Sequence, residues 1–204
     1  MTTEIRHIVF DIGKVLVHYD PTLPFQHIIP DEEKRKWFLA NVCSHEWNHE
    51  QDRGRSWAEA EAVAIAAFPD EEDNIRAFRK YWHEMLPYSY DESVEILKAL
   101  LAGGWDITML TNFAPDTFKE CRKRYPFLEL SRGITVSGEI GMVKPDRDIF
   151  DHHVASFGLD PAATLFIDDT LVNVEGARAA GWQAVQFTDA ATLKRDFEAL
   201  GIRY

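Results

Sequence analysis

Four places in this 204-residue sequence set chemically capable side chains directly against apolar runs. "HIVFDIGKVLVHYD" takes Ile8, Val9 and Phe10 straight into Asp11, with Gly13 two residues on. "WDITMLTN" ends on Thr111 and Asn112, and "ATLFIDD" ends on Asp168 and Asp169. "GMVKPDRDIF" places Lys144 just ahead of a helical pattern. Singly, each fragment has a plain structural explanation. Asp11 would cap a turn, "TN" would start a loop, Lys144 would be a solvated lysine, and Asp168–Asp169 would sit at a helix N-terminus favoured by the dipole. Together they offer more. A carboxylate can be a nucleophile, clustered acids are hard oxygen ligands for Mg²⁺, and a lysine can offset charge that develops on a transferring group.

Such a set acts together only if the fold brings four distant segments to one place. Residues 5–10 read as a strand buried on both faces. After residue 87 the pattern alternates strictly. The helix "DESVEILKALLAGG" ends at Gly103 and Gly104, "WDITML" is a strand, and "PDTFKECRKRY" is a helix with Pro115 near its start. "GITVS", "ATLFID" and "WQAVQF" are strands. Between and after them, "PDRDIFDHHVASFG", "LVNVEGARAAG" and "AATLKRDFEAL" are helices, the first expected to begin at Pro145. This alternation predicts an α/β fold: a three-layer, Rossmann-like core with a parallel sheet covered on both faces. Ligands bind such sheets outside the carboxyl ends of the strands.

The stretch from about 20 to 87 differs, with no strand pattern. "DEEKRKWFLANV" and "SWAEAEAVAIAAF" are helical, Ser56 and Glu59 form a capping-box pattern, and "DEEDNIRAFRKYWHEML" is a third helix stopped by Pro87. The expected division is a core domain of residues 1–17 and 88–204, interrupted by an all-helical cap domain of residues 18–87.

Composition narrows the partners. Hydrophobic residues make up 46% of the chain, as in a globular protein. A net charge of −12 argues against nucleic acid, which needs clustered Lys and Arg. No apolar run approaches the ~20 residues of a membrane span, and the N-terminal segment has no signal-peptide pattern. Cys43 and Cys121 read as reduced thiols. The expectation is a cytoplasmic protein, monomer or homodimer, that meets neither nucleic acid nor membrane.

In order and context, "VFDIGKVLV", "LTN", "KPDRDIF" and "FIDDTLVN" resemble the four motifs of the haloacid dehalogenase superfamily, over the whole chain. The helical insertion resembles that superfamily's C1-type cap, and D-x-G-x-V resembles the first motif of its small sugar-phosphate phosphatases. The resemblance implies a hydrolase in which Asp11 attacks a phosphoryl group and becomes an aspartyl-phosphate. It implies Mg²⁺ held by Asp11, the Gly13 carbonyl, Asp168 and Asp169. Thr111 and Asn112 would hold phosphate oxygens, and Lys144 would stabilise negative charge. The substrate would be a small phosphorylated metabolite, with sugar phosphates as one class. Asn173, four residues after Asp169, would share its helix face and hold a metal-bound water or orient an acid.

One departure stands out. Most phosphatases of the superfamily carry a second aspartate, the general acid and base, where this chain has Gly13. A positioned acid is typically worth ~10²–10⁴ in rate. Either the leaving group is good enough to do without it, or another side chain supplies the proton; His18 and Asp20 are the nearest in sequence. The cap segment "HEWNHEQDRGRSW" offers Trp47, Asn48 and Arg53 as substrate contacts, although Trp47 and Trp57 are equally explained as cap core. His45 and His49 are four residues apart but lack a third ligand. Two other readings are a dehalogenase that uses Asp11 on carbon without a metal, and a binding protein derived from a lapsed enzyme. The paired acids at 168–169 speak against the first, and the intact Asp11, Lys144 and Asp168 against the second.

Overall fold

In the computed structural model, which describes residues 4–204, five strands form one parallel sheet in the order β3-β2-β1-β4-β5. β1 (His7–Phe10) lies at the centre, between β2 (Asp106–Thr111) and β4 (Thr164–Asp168). β3 (Ile134–Val136) and β5 (Gln183–Gln186) are the edges. The central apolar runs, Ile8-Val9-Phe10 and Leu165-Phe166-Ile167, are fully buried, as a sheet covered on both faces requires. Alternate residues feed opposite cores: Ile8 and Phe10 pack into one cluster, Val9 and Phe166 into the other. Phe10 is in register with both Met109 and Ile167. The residue that follows β1 is therefore Asp11, level with Asp168. The Asp11 N–H donates to the Ile167 carbonyl at 2.9 Å, carrying the ladder one step past the strand.

The insertion that follows β1, up to residue 87, carries five α-helices: α1 (Thr22–Ile28), α2 (Glu32–Asn41), α3 (His45–Asp52), α4 (Trp57–Ala67) and α5 (Glu72–Lys80). Ser56 and Glu59 make the expected capping box on α4, and Ser44 caps α3 through the Trp47 N–H. Two of these helices lie outside the sequence expectation. α1 contains Pro24, and Trp47 is the only large apolar residue of α3, so neither shows an apolar stripe of helical period. The third expected helix is broken: a 3₁₀ turn over Pro69–Glu71 precedes α5, and another over Trp82–Met85 follows it. An aromatic cluster holds the helices together, with Phe25 and Phe38 centroids 5.1 Å apart and those of Trp47 and Phe78 5.2 Å apart.

The sheet is covered by α6 (Asp91–Ala102), α7 (Pro115–Arg124), the single turn α8 (Ser137–Ile140), α9 (Arg147–Phe157), α10 (Leu171–Ala179) and α11 (Ala190–Ala199). α9 begins two residues later than expected. Asp146 is its N-cap residue, and Pro145 belongs to the preceding loop, joined to Lys144 by a cis peptide.

Candidate active site

The carboxyl ends of β1, β2 and β4 deliver Asp11, Thr111 and Asp168 to one crevice, and the loop before α9 adds Lys144. Lys144 is 2% exposed. Its Nζ lies 2.9 Å from Asp11 Oδ1 and 2.7 Å from Asp168 Oδ2. A buried ammonium is costly unless it is paired; burial opposes its charge, but Asp11 and Asp168 outweigh burial and hold the pKa above the ordinary lysine range. Asp11 shows the opposite balance. Burial is the main cause that pushes its carboxyl up to about 7; Lys144 opposes the shift, while Asp168 and Asp169 add to it.

Two asparagines set this arrangement. The Asn112 amide donates to the Lys144 carbonyl at 2.9 Å and its Oδ1 accepts the Lys144 N–H at 2.8 Å. Its side chain thus clamps the lysine loop to the end of β2, leaving only its backbone to meet a substrate. Asn173, 9% exposed on α10, donates to both oxygens of Asp168 at 3.1 Å. It therefore works on Asp168, not on the Asp169 face that helical spacing suggested. With the Thr170 N–H at 2.8 Å and Lys144 also bonded to it, the Asp168 carboxylate is fully engaged. Asp169 is different: it is half-buried and lines the crevice, and its carboxyl is raised by burial and then by Asp168.

One carboxylate oxygen from each of Asp11, Asp168 and Asp169 lies within 4.8 Å of the others. Three acids against a single buried lysine leave a local excess of negative charge, which adds to the rise that burial imposes on the Asp11 carboxyl. Hard oxygen donors this close suit a divalent cation such as Mg²⁺. Asp11 and Asp169 have the freer oxygens, while Asp168 serves chiefly to hold Lys144. Gly13 lines the same crevice, and a Cβ added there would meet nothing within 4 Å. Its φ is not positive; the left-handed residue is Lys14, at φ 57.

The crevice opens into a cavity of about 520 Å³ beneath the inserted helices. Its far wall is largely apolar, with Leu39, Trp57, Phe78, Trp82 and Leu86, relieved by Asn48, His45, His49 and Asp52. Of the cap contacts proposed from sequence, only Asn48 reaches this wall. Trp47 turns into the cap interior, where its indole N–H donates to the Ala60 carbonyl at 3.1 Å. Arg53 pairs with Asp146 at 3.0 Å across the cap–core junction. His18 stacks on Tyr88, and Asp20 accepts the Thr22 N–H ahead of α1, so neither lies on the cavity wall.

The model of the haloacid dehalogenase-like hydrolase family matches residues 5–181, and the chain belongs to that family. A sesquiterpene phosphatase of Aspergillus oryzae, astK, is 26% identical over 193 residues, 93% of each chain. A phosphoserine phosphatase of Thermus thermophilus is 31% identical over 111 residues, 54% of this chain and 44% of that one. Among solved structures, the HAD family enzyme bt-2542 of Bacteroides thetaiotaomicron, in complex with magnesium and inorganic phosphate, superposes with a TM-score of 0.70 at 22% identity, over 93% of this chain and 98% of that one. The L-2-haloacid dehalogenase of Xanthobacter autotrophicus shares the fold at a TM-score of 0.67 and 16% identity, over 98% and 85%.

Proposed function

We propose that the protein is a Mg²⁺-dependent phosphomonoester hydrolase that works through an aspartyl-phosphate on Asp11 and takes substrates whose organic part is apolar. The observation that carries the chemistry is the pairing of Asp11. Lys144 holds Oδ1, and no described residue bonds Oδ2, which leaves one oxygen for attack on phosphorus. Lys144 also opposes the rise that burial imposes on the Asp11 carboxyl and would meet the charge that grows on the phosphoryl oxygens. Thr111 lines the crevice, and its hydroxyl, bonded by none of the described residues, would be available to a phosphoryl oxygen. Mg²⁺, held by Asp11, Asp169 and the Gly13 carbonyl, would supply charge neutralisation between nucleophile and phosphoryl group. The acid cluster and the magnesium–phosphate complex of a structural relative support that metal.

The cavity wall supports the substrate class. A sugar phosphate would need many hydrogen-bonding partners, whereas this wall offers mainly Leu39, Trp57, Phe78, Trp82 and Leu86. A full-length relative named for a sesquiterpene substrate points the same way. Two buried, unpaired cysteines fit the cytoplasm, and no helix of the described residues is long and apolar enough to cross a membrane. The test is a panel of prenyl, long-alkyl and sugar phosphates with 2-halo acids, assayed with Mg²⁺ and with chelator. Release of phosphate from prenyl or alkyl esters, dependent on Mg²⁺, is expected. Preference for sugar phosphates would overturn the substrate class, and halide release without metal would overturn the phosphatase reading.

A further inference from the structure

Gly13 leaves no carboxyl beside Asp11 to protonate a leaving oxygen, and the two nearest substitutes in sequence, His18 and Asp20, lie off the cavity wall. We infer that Asp52, carried in from the cap on the last residue of α3, is the proton donor and acceptor of the reaction. The inference rests on the phosphatase reading.

Three contacts fix Asp52 against the core. Its carbonyl accepts the Ser137 hydroxyl at 2.7 Å. The next residue, Arg53, pairs with Asp146 at 3.0 Å. Gly54 follows at φ 99, so close to α8 that an added Cβ would stand 3.0 Å from the Gly138 carbonyl. α3 thus ends on the core, and its terminal carboxyl lines the crevice that holds Asp11, Thr111 and Lys144. No described residue donates a hydrogen bond to that carboxyl. It faces Lys144 and Asp11 from the core and Tyr19 from the loop before α1. Burial raises it to about 7, with Lys144 opposing and Asp11 adding, so it can hold a proton near neutrality and give it up. The other candidates are poorer. Lys144 is locked between two carboxylates, and Asp169 belongs to the acid cluster. His49 has its pKa lowered by burial and then by Arg53, and it stacks with His45 at 6.0 Å.

The proton count closes. Asp11 Oδ2 forms a bond to phosphorus as the bond from phosphorus to the ester oxygen breaks, and protonated Asp52 gives its proton to that oxygen, releasing an alcohol. Asp52, now a carboxylate, takes a proton from the water that attacks the aspartyl-phosphate. The Asp11–phosphorus bond breaks, inorganic phosphate leaves, and both aspartates regain their starting states.

The experiment compares wild type, Asp52→Asn and Asp52→Asn/Gly13→Asp on an alkyl phosphate and on 4-nitrophenyl phosphate, whose leaving group needs no proton. Asp52→Asn should lose on the order of 10²–10⁴-fold in kcat on the alkyl ester and little on the aryl ester. Gly13→Asp should restore part of the loss, since a side chain there meets open space. Equal losses on both esters, or none on the alkyl ester, would overturn the role. A series of aryl phosphates on wild type gives a readout that needs no folded variant: rate should depend only weakly on leaving-group pKa, and a steep dependence would overturn the role. If wild type hydrolyses no phosphate ester, the phosphatase reading itself fails, and the role of Asp52 with it.

Discussion

On the core wall of the cavity the charged groups hold one another. Lys144 spans Asp11 and Asp168, Asn173 and Thr170 complete Asp168, and Asn112 pins the backbone of Lys144. On the opposite wall the cap presents mostly carbon, and the one cap acid on that lining, the half-buried Asp52, accepts no hydrogen bond at its carboxyl from the described residues. The difference divides the labour. In the proposed reaction, the wall that would meet the same phosphoryl group in every turnover is the interlocked one. The wall that would meet the organic part is a shape with few directed contacts, so on the same proposal packing and exclusion of water would decide what binds. Asp52 couples the two, because it belongs to the cap yet is tied to α8 through Ser137.

The largest expected effect breaks the interlocked wall. Lys144→Met leaves Asp11 and Asp168 buried without their cation, and removal of one partner of a buried ion pair costs about 3–5 kcal/mol. Urea unfolding of the metal-free protein should show a loss of that order, together with loss of turnover. A variant as stable as wild type would mean that the wall is not interlocked.

The apolar wall should respond in binding rather than in chemistry. Leu39 lines the cavity and is only partly buried, so Leu39→Asn should spare the fold while it removes contact with an apolar substrate. Burial of a leucine side chain is worth about 1.5–3 kcal/mol, which sets the expected rise in KM for a long-alkyl phosphate at roughly tenfold or more. Turnover of 4-nitrophenyl phosphate at saturation should not change. If KM for the alkyl ester stays the same, the wall does not hold the organic group.

The smallest effect concerns Gly13, on neither wall's load path. With no positive φ and no atom within 4 Å of an added Cβ, Gly13→Ala should leave stability unchanged or raise it by up to ~1 kcal/mol through the unfolded chain. A clear drop in thermal melting would show that the backbone needs glycine there.

The same division governs what could be read from the sequence. Asp11 follows and Asp168 ends an uninterrupted apolar run, and Thr111 ends the strand "DITMLT", so the strand–helix alternation alone sent them to one end of a parallel sheet. The clamps were not legible, because a hydrogen bond from Asn112 to a residue 32 positions away leaves no local signal. Helical spacing tied Asn173 to Asp169, but the entry of α10 turns it towards Asp168 instead. The cap was harder. α3 buries so little carbon of its own that its period is invisible, although Ser44 ahead of it is an N-cap residue. Asp52 looked like one more charge in a polar segment; only the packing of α3 against α8 carries it to the crevice.

The most direct test of the account is where covalent phosphate and solvent oxygen go. Wild-type protein turning over a phosphate ester with Mg²⁺ would be quenched in acid, and the peptide that holds Asp11 weighed by mass spectrometry. The account predicts a fraction of that peptide heavier by one phosphoryl group, absent from Asp11→Asn, which should be folded and inactive. In ¹⁸O-water the label should enter the released phosphate and not Asp11. Label in the Asp11 carboxylate would mean that water attacks carbon, as in a dehalogenase, and an active Asp11→Asn with no phosphorylated peptide in wild type would contradict Asp11 as the nucleophile.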